Sequence, residues 1–73
     1  MYKNLKVEML KQDLTVKELS KKMFDDFNVQ CSPSSLYSKI RGEYEFTFEE
    51  AICIRDIINK DMSVDELFKK EAN

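Results

Sequence analysis

The same four-residue pattern opens three separate stretches of this 73-residue chain: Thr15-Val16-Lys17-Glu18, Thr47-Phe48-Glu49-Glu50 and Ser63-Val64-Asp65-Glu66. Each is a capping box, in which the hydroxyl can accept a hydrogen bond from the N3 amide while the glutamate reaches back to the cap amide. An apolar residue precedes each box, so Leu14, Phe46 and Met62 can clasp Leu19, Ala51 and Leu67 across the first turn. Each cap contributes about 1 kcal/mol, and the acids that follow suit the positive end of the helix dipole. A fourth start is Ser32-Pro33, where the proline sits at the first helical position and its missing N–H costs nothing. The only glycine, Gly42, stands where that helix needs a left-handed residue to stop. These signals predict five helices, over about 3–12, 16–25, 33–41, 48–59 and 64–71.

The apolar residues inside those windows recur at helical spacing: Leu5 and Met9; Val16, Leu19, Met23 and then Phe27; Leu36 and Ile40; Ala51, Ile54 and Ile58; Leu67 with Phe68. No alternating strand pattern competes. The fourth window is apolar on most sides and is expected to be central. A chain this short supports one core, so residues 1–73 are read as a single all-α domain, a compact bundle of about five short helices.

Composition narrows the function. There is no histidine, no glycine-rich phosphate loop and no Gly-x-Ser-x-Gly, so the usual catalytic pairings cannot be assembled; the expectation is a protein that is not an enzyme and takes no small-molecule substrate or cofactor. Asp25-Asp26 and Glu49-Glu50 are adjacent and point different ways on a helix, which assigns them to caps and solvated faces. Cys31 and Cys53 lack the spacing and companions of a metal site and read as buried, reduced thiols. Neither a membrane span nor a secretory leader is visible, so a cytoplasmic protein is expected. Net charge is −2, but unevenly spread: residues 1–42 hold eight basic side chains against five acids, and residues 43–73 hold four against nine. One face can therefore approach phosphate while another repels it.

The third helix carries the sharpest functional signal. With Leu36 and Ile40 turned to the core, it presents Ser34, Ser35, Tyr37, Ser38, Lys39 and Arg41. Hydroxyls can bond base edges, tyrosine can reach sugar or phosphate, and Lys and Arg can neutralise the backbone. The same residues also describe an ordinary solvated helix face.

Leu14-Thr15-Val16-Lys17-Glu18-Leu19-Ser20 and Ser32-Pro33-Ser34-Ser35-Leu36-Tyr37-Ser38-Lys39-Ile40-Arg41-Gly42, followed by Phe46-Thr47-Phe48-Glu49-Glu50-Ala51-Ile52 and Asp65-Glu66-Leu67-Phe68, decide between them. In order and spacing they resemble the lambda-repressor-like helix-turn-helix proteins, in particular the small Cro-type regulators of phages, over nearly the whole chain. The resemblance implies operator binding and transcriptional regulation, with 16–25 and 33–41 as the motif helices. It implies Ser34, Ser35, Tyr37 and Ser38 near base edges and Lys17, Lys39 and Arg41 at phosphates, with Lys3 and Lys6 as further basic groups. A single small module buries little interface, so a homodimer on a two-fold DNA site is expected, with Leu67 and Phe68 offering its apolar surface. The chain departs from the family pattern in two places. Val16 replaces the phosphate-bonding Gln often found there, and the 24–31 segment implies either a longer turn or a second helix running on through Phe27. An alternative of the same fold is an antirepressor, docking on the DNA-binding domain of a phage repressor; the acidic residues Glu43, Glu45, Glu49, Glu50, Asp56, Asp65 and Glu66 suit such a basic surface.

Overall fold

A computed structural model describes residues 2–70. It contains five helices and no strand among the described residues: α1 (Lys3–Lys11), α2 (Val16–Phe27), α3 (Pro33–Ile40), α4 (Phe48–Ile58) and α5 (Val64–Leu67). The fold is all-α. α2 packs on both α3 and α4, while α5 closes the far side against α4 and α1. α4 supplies Ala51, Cys53, Ile54 and Ile58 to the core, as its apolar character foretold, together with Leu5, Leu19, Met23, Leu36 and Leu67 from the other helices.

The caps explain the boundaries. Thr15 and Thr47 form complete boxes, each hydroxyl accepting from the N3 amide and each glutamate accepting from the cap amide. At Ser63 only the hydroxyl half forms: Oγ accepts from the Glu66 amide at 3.1 Å. Ser32 caps α3 by accepting from the Ser35 amide, with Pro33 behind it. Gly42 ends α3 at φ 90°, with the Glu43 amide bonded to the Ser38 carbonyl and the Gly42 amide to Lys39. That is the left-handed stop expected of it.

Two boundaries differ from the sequence reading. α2 runs on to Phe27 rather than ending near 25, since Asn28 supplies the left-handed stop (φ 56°) that glycine would normally provide. Phe27 sits at the last turn of α2 and stays exposed rather than entering the core. α5 is a single turn ending at Leu67 instead of continuing to 71; residue 71 lies outside the described residues. Beyond Leu67 the chain turns Phe68 onto Tyr2 and Phe46, with ring centroids 5.7 and 5.0 Å away. Tyr2 and Phe46 are themselves 5.4 Å apart, which completes an aromatic triad tying both ends of the fold together.

Candidate nucleic-acid interface

α3 is held from three sides. Leu36 and Ile40 are buried, which fixes the helix about its own axis. The turn joining it to α2 is pinned where Ser20 Oγ donates to the Cys31 carbonyl at 2.5 Å and the Val29 amide donates to the Met23 carbonyl at 3.0 Å. The third brace is an ion pair: Lys39 Nζ donates to both carboxylate oxygens of Glu50, at 2.8 and 2.7 Å, linking α3 to the first turn of α4.

That pair corrects the reading of Lys39 as a phosphate contact. Its side chain is 19% exposed and that of Glu50 is 10% exposed, so the ammonium is turned inward and already neutralised. Glu50 is likewise not a solvated acid: it caps α4 and anchors Lys39 at once. Burial raises its carboxyl pKa, but the hydrogen bonds from Lys39 and from Thr47 outweigh this and hold it below the ordinary 4.5.

With Lys39 accounted for, the outer face of α3 consists of Ser34 and Ser35, both exposed, with half-buried Ser38 a turn further on. The three serines line one open depression together with Lys39, Tyr44 and Glu45. Tyr44 escaped the sequence reading, and Glu45 was read only as one of the acids suited to a basic partner. The signal was an aromatic just past the helix-ending glycine, and only the folded loop brings it beside the serines. On the opposite edge Tyr37 is 53% exposed and the Arg41 guanidinium lies 5.5 Å from its ring centroid. Arg41 also meets Glu43 at 3.2 Å, but both side chains are about half exposed, and such a pair is worth little in water. It can exchange partners. Tyr37 shares a groove with Thr15 and Val16, so the first turn of α2, bearing exposed Lys17, stands next to this edge of α3. Glu18 sits on that same turn with its carboxyl pKa lowered, chiefly by the hydrogen bond it accepts from the Thr15 amide.

Of the two residues expected at a dimer surface, Leu67 is turned into the core. It is fully buried and so offers no free apolar area, and half-buried Phe68 packs into the aromatic triad. Instead the apolar groups left exposed are Val7, Leu10, Phe24, Phe27, Tyr37, Tyr44 and Phe48. The cysteines are buried, free thiols, and burial foremost pushes the Cys53 thiol up to about 11, with Asp56, Glu49 and Asp26 adding to it. No helix among the described residues is long and apolar enough to cross a membrane.

No protein-family model, curated protein or solved structure matches this chain.

Proposed function

We propose that α2, the Asn28 turn and α3 work as a helix-turn-helix unit, and that the chain is a lambda-repressor-like, Cro-type regulator that binds operator DNA in the cytoplasm without catalysis or a cofactor. The observation that carries this reading is the construction of α3: a short helix braced on its inner side by Leu36, Ile40 and the Lys39–Glu50 pair, with a serine face turned outward. Rigid backing and a small polar face are what reading base edges in a major groove demands. Ser34, Ser35 and Ser38 face bases in this account, with Tyr37 at the groove wall. Lys17 and Arg41 neutralise phosphates, and Arg41 trades Glu43 for phosphate as it does so. Two-fold operators then call for a homodimer, formed through apolar surface other than Leu67.

A second reading, the antirepressor that docks on a repressor's DNA-binding domain, draws on one specific observation: Lys39 of α3 and Arg41 at its C-cap are both engaged by carboxylates, leaving that face with little net positive charge. Selection of duplexes from a random library distinguishes the two. Operator binding predicts an enriched, two-fold motif; Ser34→Ala changes which bases are preferred, whereas Arg41→Ala weakens every duplex alike. No enrichment by a protein that circular dichroism shows to be helical overturns the DNA reading, and capture of a purified repressor domain then establishes the second.

A further inference from the structure

The loop that follows α3, from Glu43 to Glu45, is held at both ends. On one side the Glu43 amide donates to the Ser38 carbonyl at 3.0 Å. On the other, Phe46 packs against Tyr2 and Phe68, and Thr47 caps α4. So anchored, the loop keeps Tyr44 and Glu45 in a fixed relation to α3, where both line the same depression of about 590 Å³ as Ser34, Ser35 and Ser38. Lys39 also lines it, but its ammonium is spent on Glu50. Of the groups left to bind a ligand there, the serines and Tyr44 offer hydroxyls and Glu45 offers a carboxylate.

The carboxylate is the selective member of this set. Hydroxyls both donate and accept, so they tolerate many base edges, whereas a carboxylate only accepts and is repelled by phosphate. In the major groove of DNA two groups donate hydrogen bonds, the N4 amino group of cytosine and the N6 amino group of adenine. Adenine sets its N7 acceptor beside that amino group, where it opposes the second carboxylate oxygen. Guanine offers acceptors alone, and thymine an acceptor and a methyl group. Cytosine is the edge that a glutamate fits.

Glu45 also meets Lys70 at 3.8 Å, with the two side chains 87% and 57% exposed. So long and exposed a contact is worth little in water, and it occupies one of roughly four acceptor positions on the carboxylate. Selection by Glu45 depends on those acceptor positions and not on an unbalanced charge.

We propose that Glu45 is a specificity-determining residue: beside the serine face it accepts from the N4 amino group of a cytosine in the major groove, and so fixes that base at one position of each half-site. Tyr44, 66% exposed, walls the depression next to it. The proposal rests on the operator reading and adds to it a base contact from outside α3.

The test is selection from a random duplex library by the wild-type chain and by Glu45→Gln, followed by anisotropy titration of the selected duplexes. Wild type is expected to enrich a motif with a fixed cytosine. Glu45→Gln exchanges that cytosine for adenine, whose N6 and N7 suit an amide, and binds the cytosine duplex about 10-fold more weakly, within the range of one good base contact. Glu45→Ala loses the preference at that position and acquires none. Glu45 lies at the surface, so both variants keep the helical circular dichroism of the wild type. Stronger binding of every duplex by Glu45→Gln, with an unchanged motif, would show that the carboxylate only repels phosphate. That result, or a wild-type motif without a fixed cytosine, overturns the proposal and leaves the operator reading standing. No enrichment by the wild type removes the operator reading itself, and the role of Glu45 with it.

Discussion

At the scale of single residues, Lys39 and Glu50 do more than their place in the sequence announces. Lys39 reads as a phosphate contact and Glu50 as a capping acid, and their partnership spans eleven residues, so nothing local reveals it. The pair makes Lys39 structural, which yields a contrast between two neighbouring cations. Lys39→Ala leaves Glu50 without its ammonium in a half-dry site and destabilises the fold by about 3 kcal/mol, read by urea unfolding, yet leaves the salt dependence of DNA binding unchanged. Arg41→Ala does the reverse: stability is nearly unaffected, and the slope of log K against log salt falls by about 1. Acid stability follows from Glu50 as well. Its folded pKa lies below the ordinary 4.5, so the stabilisation it contributes is complete above that value and disappears as pH falls through the folded pKa. Glu50→Gln removes this contribution: the variant is less stable at neutral pH and loses less on acidification, as thermal melts across a pH series will show. Wild type and variant losing stability in parallel would contradict the assignment.

At the scale of elements, helix starts were the most legible feature of the chain, because a cap is a contract between residues three apart and needs no tertiary partner. Thr15, Ser32, Thr47 and Ser63 all accept from the amide three residues on. Helix ends were less legible. Gly42 was readable as a left-handed stop, but Asn28 and Asp13 (φ 54°) do the same work with side chains that usually signal turns. The length of α5 depended on where Phe68 could find other aromatics, at Tyr2 and Phe46, which lie remote in sequence. Asn28 carries the joint between α2 and α3, and its conformation makes a prediction. Asn28→Gly retains stability, whereas Asn28→Ala costs about 1 kcal/mol, because alanine keeps the Cβ but loses the short polar side chain that makes the left-handed region tolerable to asparagine. Equal chemical denaturation midpoints for the alanine and glycine variants would show that the joint does not depend on this backbone geometry.

For the whole molecule, burial settles what the C-terminal turn does. Leu67 belongs to the core with Leu5 and Ile54, so Leu67→Ala lowers stability by about 3 kcal/mol without changing the association state in sedimentation. A variant of full stability with altered association would restore the dimer role that burial removes. The candidate site was legible in part: its serines, Tyr37 and Arg41 followed from one helix and its apolar face, whereas Tyr44 and the neutralisation of Lys39 required the loop and α4 to be in place. Charge is divided on the same scale, with a basic first half that includes α1 to α3 and an acidic remainder. DNA is therefore expected to approach from the α2–α3 side only, and to do so through few phosphates. Fluorescence anisotropy with an enriched duplex, titrated across a salt series, tests this most directly. Saturable, site-selective binding whose logarithm falls linearly with log salt, by about 0.9 for each phosphate neutralised, is the predicted result; a folded chain that binds no duplex even at low salt would contradict it.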